Sequence, residues 1–278
     1  MIAGNAGRYP ISAQCEILGV PRSTYYAMRA RAEAEAAPDP ATACVVDAYE
    51  RGRGRYGARK IKAALERRGI TLSRRRIGRI MKENGLVSAY TKAAFRPHSA
   101  KVNEADVPNV VGRRFDGHAP RTHIASDLTY ARVGARWNYV CLLIDLYNRE
   151  IVGHSAGERK DARLVKSAFA TLDFPLDDIE AFHTDRGSEF DNAAIDGLLE
   201  AFGIERSLSR KGCPYDNAVD ESTNKILKAE LIYREGFSTL RELQVKLSDY
   251  VHWSNNFRLH STLGYMDPVE FRLAGLTL

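Results

Sequence analysis

Long apolar runs are missing from this 278-residue chain. The longest, Tyr139 to Ile144, stops at Asp145 and falls far short of the ~20 residues a membrane span needs, so no membrane partner is expected. The amino terminus has no apolar core of the secretory kind, because Asn5 and Arg8 interrupt it; a cytoplasmic location is the default expectation. Cysteine is scarce. Cys15, Cys44, Cys141 and Cys213 lie far apart, with no C-x-x-C pair and no histidines at zinc spacing. That argues against a disulfide framework and a zinc module, and leaves reduced, buried thiols as the expectation. No heptad run of the coiled-coil kind is present either. Nonetheless, 44% hydrophobic and 27% charged residues are ordinary globular values, which argues against a disordered or fibrous chain.

Charge is unevenly spread. Residues 1–100 carry 19 Lys+Arg against 8 Asp+Glu, whereas residues 101–278 carry 22 against 27. A basic front half joined to a mildly acidic back half points to a polyanion-binding module attached to something else, or to a basic solvated surface.

The front half reads as two helical hairpins. In residues 11–31, Cys15 and Leu18 share a face, Gly19 ends a helix, and Pro21 sits where a second begins. Residues 32–43 carry two prolines and no core pattern, as a linker, or the end of a helix followed by a linker, would. Over roughly 56–87, Ile61, Ala64 and Leu65 recur at helical spacing before Gly69. Ser73 is a plausible N-cap, and Ile77, Ile80 and Met81 repeat the spacing before Gly85. This second hairpin is crowded with cations, among them Arg59, Lys60, Arg74, Arg75, Arg76 and Arg79. Arginines in the first turn of a helix oppose its dipole, and a phosphate backbone would compensate. These residues are therefore the candidate DNA contacts of a helix-turn-helix-like module.

After Pro120 the periodicity becomes strand-like. Runs at 122–133, 137–147 and 150–158, joined by short connections, predict an antiparallel meander. A helix over 161–172, a strand at 179–185, a helix near 190–202, a short strand near 204–208 and a long helix over 217–234 follow. The expected class is α/β, a mixed five-stranded sheet covered by helices. Asp127 lies within the first strand and Asp185 ends the fourth, positions that β propensity disfavours. On the long helix, Asn217, Glu221, Asn224, Lys225 and Lys228 share one polar stripe. Alone, that stripe also fits an exposed face with i,i+4 Glu–Lys pairing. Together, two strand-borne Asp and one helix-borne Glu form the carboxylate set of a two-metal phosphoryl-transfer site.

The strings SDLTY around Asp127, HTDRGSEF around Asp185 and SRKGCPYDNAVDES leading to Glu221 resemble those of the bacterial insertion-sequence transposases related to retroviral integrases. Thirty-five residues separate Asp185 from Glu221, and Lys228 follows Glu221 by seven, as in the family's pattern. Residues 255–272, RYGARKIKAAL and GVPRSTYY resemble further family segments, so the likeness covers most of the chain. It implies a ribonuclease H-like catalytic domain over 121–278, behind a helical hairpin and linker at 1–43, a DNA-binding domain at 44–90 and a connector at 91–120. It also implies that Asp127, Asp185 and Glu221 hold two Mg²⁺ ions, with Mn²⁺ as a substitute, for cleavage and strand transfer at element ends. Arg59, Lys60, Arg74, Arg75, Arg76, Arg79, Lys225 and Lys228 would contact double-stranded DNA. A homo-oligomer on DNA is expected, with an upstream-frame product as a further partner. The alternative is a DNA-binding regulator or a partial transposase that needs that product. Three details depart from, or complicate, the pattern. Thr223 and Asn224 stand where the family often has an aromatic pair, Asp220 directly precedes Glu221, and Asp145 falls at a family position but is expected to support the fold. His183 is expected either to orient a carboxylate or to pack. Trp253, Phe257, Leu263 and Tyr265 are expected in the core with His260 hydrogen-bonded inside, and Asn255, Asn256 and Arg258 are left as candidate DNA contacts.

Overall fold

The computed structural model describes residues 1–36, 38–91, 111, 115–209 and 217–278, with the side chains of 31–36 and 91 left aside. Cys213 and most of the 91–120 connector lie outside these residues. Two compact units divide the chain, Met1–Asp47 and Ala48–Leu278.

The first unit holds α1 (Ile11–Ile17) and α2 (Arg22–Ala36), and the opening of α3 (Thr42–Arg51). Gly19 takes a φ of +61° between α1 and α2, a turn closed to most side chains. Cys15 is buried, but Leu18, expected beside it, is 45% exposed: as the C-cap of α1 it lies where the helix has ended.

The second unit begins with three helices. The sequence pattern captured α4 (Ala58–Glu66) and α5 (Arg74–Glu83) but missed α3, whose buried Val45 and Ala48 sit at helical spacing. Ile61, Leu65, Ile77 and Ile80 form the apolar interior of this module. The Ser73 hydroxyl accepts the Arg76 amide at 3.2 Å, so the predicted N-cap starts α5.

Beyond it, β1 (His123–Val133), β2 (Arg136–Asp145) and β3 (Ile151–Gly157) form the expected antiparallel meander. β4 (Ala181–Thr184) and β5 (Glu205–Leu208) add parallel to β1, giving the order β3-β2-β1-β4-β5. α6 (Ala162–Phe169) and α7 (Ala193–Ala201) bury Leu164, Val165, Phe169, Ile195 and Leu199 against one face, with Ile124, Leu143 and Phe182. Both helices start where acceptors cap them: Asp161 takes the Leu164 amide, and Asn192 those of Ala194 and Ile195.

The long helix expected over 217–234 is divided. α8 (Ala218–Leu227) gives way to a π-helical turn at Lys228–Ile232. α9 (Leu240–Asn256) then packs along β3, and α10 (Pro268–Leu273) closes the chain. Asn255 fastens α9 to β3: its side chain accepts the Ile151 amide at 3.0 Å and donates to the Ile151 carbonyl at 2.9 Å. Trp253 and Leu263 are core residues, as the pattern implied, whereas Phe257, at the end of α9, is 60% exposed.

Candidate active site

Strand register brings the first two acids together. Ser126 pairs with Thr184, the last residue of β4, so Asp127 and Asp185 occupy the next position on adjacent parallel strands. Neighbouring strands lie ~4.8 Å apart. Past Ser126, β1 has no β4 partner, and α8 packs against it instead.

Asp127 is held by two donors. Its own strand supplies the Leu128 amide at 2.8 Å, and α8 supplies Asn224 Nδ2 at 2.9 Å. Thus Asn224, one of the two departures from the family's aromatic pair, puts an amide on the first carboxylate. Burial, and then the charge of Asp185, push the Asp127 carboxyl up to about 7. Asp185 is anchored by its turn, where Oδ1 accepts the Gly187 amide at 2.9 Å. A Cβ at Gly187 would stand 2.4 Å from the Glu189 carboxylate, so a larger residue there would displace that side chain. Glu189 is itself buried and paired with Lys160 at 2.9 Å.

The helix-borne acids divide between interior and surface. Glu221 is exposed and lines a groove of about 1240 Å³ together with Asp127, Asn224, Lys225 and Lys228. Asp220 turns inward, 1% exposed, and among the described residues no other residue hydrogen-bonds either carboxylate oxygen. Burial, with Asp127 and Asp185 nearby, raises its carboxyl well above the usual range. Among the described residues, no three His, Cys, Asp or Glu side chains stand close enough to share one metal ion. The donor chemistry still fits a hard divalent cation, since it is all carboxylate oxygen and two acids are held against mutual repulsion.

The far wall of the groove is the end of the helical module: Tyr49, Gly85, Val87, Ser88, Ala89 and Tyr90. Its attachment runs through Glu230 in the π-helical turn, a residue sequence reasoning missed. Glu230 is fully buried and accepts Arg258 Nε at 2.8 Å, the Tyr250 hydroxyl at 3.1 Å and the Tyr90 hydroxyl. Arg55 donates to its carbonyl at 2.8 Å. Arg258 therefore serves this network and not a DNA surface, and Asn255 is spent on β3. Asn256 donates to the His252 carbonyl at 2.8 Å, within its own helix.

The candidate DNA contacts fall into two groups. Arg59, Arg74, Arg75 and Arg79 are exposed, Arg76 is half-buried, and Lys225 is exposed beside the groove. Lys228 lies over the Tyr130 ring at 4.6 Å. Lys60 is a correction. It points inward, its side chain 16% exposed and its ammonium 3.8 Å from Glu230, so it is not presented to a phosphate backbone. Asp145 also has a structural task, accepting the amides of Arg121 at 2.8 Å and Tyr147 at 3.0 Å. His183 is buried, with Nδ1 2.8 Å from the Ser207 hydroxyl.

Comparison with known proteins places these parts. Residues 38–94 match the HTH-like domain family, and residues 117–214 and 202–268 match two integrase core domain families. The transposase for insertion sequence element IS904 of Lactococcus lactis is 32% identical over 227 residues, spanning 80% of this chain and 89% of that protein. Transposase InsF for insertion sequence IS3A of Escherichia coli K12 is 28% identical over 283 residues, spanning 97% and 96%. The catalytic core domain of BIV integrase is 19% identical, covering 56% of this chain and 95% of that one, with a TM-score of 0.41. An HTH-like module followed by an integrase core, matched over most of its length by such relatives, makes this chain a member of the insertion-sequence transposase family, a DNA transposase with an integrase core domain.

Proposed function

We propose that Asp127, Asp185 and Glu221 carry a metal-dependent cleavage and strand transfer of insertion-sequence ends. The observation that supports this most directly is the register of β1 and β4, which sets Asp185 beside Asp127, a residue of the groove that Glu221 also lines. The integrase core implies a divalent metal cofactor. In our reading these three carboxylates hold two Mg²⁺ ions, with Mn²⁺ as a substitute; such ions would activate the attacking oxygen and stabilise the leaving one. Water attacks first, breaking a P–O bond and freeing a DNA 3′-hydroxyl. That hydroxyl then attacks a second phosphodiester in line, forming a new P–O bond as the bond to that phosphodiester's 3′-oxygen breaks and leaves as a 3′-hydroxyl, so no covalent protein–DNA intermediate forms. Lys225 and Lys228 meet the phosphate backbone beside the acids, and Asn224 fixes the orientation of the Asp127 carboxylate. The exposed arginines of α4 and α5 hold the double-stranded flank. Because two ends must meet, the active form is an oligomer on DNA, and an upstream-frame product is a further partner.

A second reading of the third carboxylate has its own support, in the buried and unpartnered oxygens of Asp220. Nicking of supercoiled DNA with Mg²⁺ or Mn²⁺ separates the two. Glu221→Gln is expected to abolish nicking while DNA binding stays intact, and Asp220→Asn to leave measurable activity. If instead only Asp220→Asn abolishes nicking, Asp220 is the third ligand. If the unaltered protein binds DNA but does not nick it, the regulator or partial-transposase alternative takes over.

A further inference from the structure

Along β1, away from the acids, the groove opens onto a set of aromatic side chains that the cleavage chemistry does not use. Tyr130 and Tyr233 line the groove, and both also line a second hollow of about 330 Å³ with Arg132, Trp137 and Phe237. Trp137 and Tyr233 are 57% and 55% exposed. Tyr130 meets Trp137 edge-on with ring centroids 5.2 Å apart, and the Lys228 ammonium lies 4.6 Å from the Tyr130 centroid. Register fixes this grouping, because Arg132 pairs with Trp137 and Tyr130 with Tyr139 across the β1–β2 ladder.

We propose that the shelf of Tyr130, Trp137 and Tyr233 binds unpaired nucleotides of a DNA strand leaving the Asp127 groove. Exposed rings offer stacking faces, and a base stacks on them only when its own face is free, as in a single strand or a frayed end. The surrounding charge suits the phosphates of such a strand. Arg132 is exposed at the hollow, Arg234 is exposed at the groove, and Lys228 lines the groove over Tyr130, a residue common to both. The acid that lines the hollow, Glu235, is already engaged by Lys246 at 3.1 Å and Arg55 at 3.8 Å. A cationic rim around stacking faces is the combination that single-stranded nucleic-acid grooves use. It disfavours an apolar protein partner, whose docking would desolvate those cations.

The proposal rests on reading the Asp127 groove as the cleavage site, but its test needs neither metal nor cleavage. Blunt DNA duplexes and duplexes of the same sequence with a short unpaired 3′ extension are titrated in EDTA, following anisotropy and tryptophan fluorescence. Trp253, the other tryptophan, is 2% exposed, so quenching reports on Trp137. The extended duplex is expected to bind more tightly and to quench. Trp137→Ala should weaken it about tenfold while leaving the blunt duplex unchanged, and Tyr233→Ala should act in the same direction. Trp137→Phe keeps a stacking face and should retain most of the preference. Equal binding of both duplexes by the unaltered protein overturns the proposal, as does an equal loss for both in Trp137→Ala and Tyr233→Ala. If these variants instead lower the sedimenting mass of the DNA-free protein, the shelf joins copies of the chain and the proposal fails. A failure here with nicking intact would reject the shelf alone, whereas lost nicking with the extension preference intact would reject the acids.

Discussion

Lys60 sits one residue after exposed Arg59 on the same helix, yet its ammonium turns toward Glu230 and Arg258. No short-range pattern distinguishes the two cations. What separates them is a buried acceptor far along the chain, so burial of Lys60 is a tertiary fact that helical periodicity does not encode. Asp127 and Asp185 differ in this respect, since an acid within or at the end of a strand departs from β propensity and is visible locally. Their adjacency still required the β1–β4 register. Asp220 shows the opposite limit: helical phase puts Glu221, and not Asp220, on the polar stripe, yet nothing local shows that the Asp220 carboxylate is buried beside the other acids. Burial, followed by the Arg258 charge, brings the Lys60 ammonium down to about 7, against 10.5 in the unfolded chain. Below pH 7 both states are protonated and the folded state bears the full cost. Between pH 7 and 10.5 the unfolded chain binds more protons, so this contribution to stability rises with pH. Lys60→Met is therefore expected to stabilise the protein near pH 6 and to lose that advantage toward pH 10. Urea denaturation at the two values measures it, and a variant less stable at pH 6 would contradict the burial argument.

The strands of the meander were readable because alternation and turn residues are local signals. The helical elements were read less completely. α3 was missed although Val45 and Ala48 carry its spacing, because its pattern follows directly on a linker. The periodicity after Asn217 predicts one continuous helix, whereas the π-helical turn at Lys228–Ile232 interrupts it. That turn carries Glu230 into the interior and lets Lys228 remain beside the groove. π-turns recur at functional sites, and no residue in this one announces it. α5 has no acidic residue in its first turn and presents Arg74 and Arg75 to solvent. If these arginines meet phosphates, each contact releases counterions and contributes about 0.9 to the slope of log K against log salt. Replacing both by alanine should then flatten that slope by roughly 1.8, with weaker binding to every sequence. Anisotropy titrations across a salt series measure it, and an unchanged slope would remove α5 from the DNA interface.

For the whole molecule, the separation of charge along the chain has two structural meanings. Part of the basic excess faces outward on α4 and α5. Another part is spent inside the second unit, where Arg55 and Lys60 meet Glu230, Arg67 pairs with Glu270 at 2.6 Å, and Arg53 pairs with Asp249. Net charge alone therefore overstated the surface available to a polyanion. These pairs join the helical module to the acidic C-terminal half, and both belong to the compact unit Ala48–Leu278. The boundary at Asp47 falls inside α3, so a clean test of independence must cut earlier. A chain starting at Asp39 keeps α3 whole and retains the Asp39 carboxylate, which accepts the Ala41 amide at 2.9 Å just before the helix. This shortened protein is expected to unfold in one transition within about 4 °C of the full chain. That corresponds to no more than about 2 kcal/mol for a unit of this size. Differential scanning calorimetry supplies the comparison, with Glu221-dependent nicking as a second readout. A much earlier or split transition would mean that the first unit helps to hold the second, and that the helical module and catalytic core do not suffice as a folding unit.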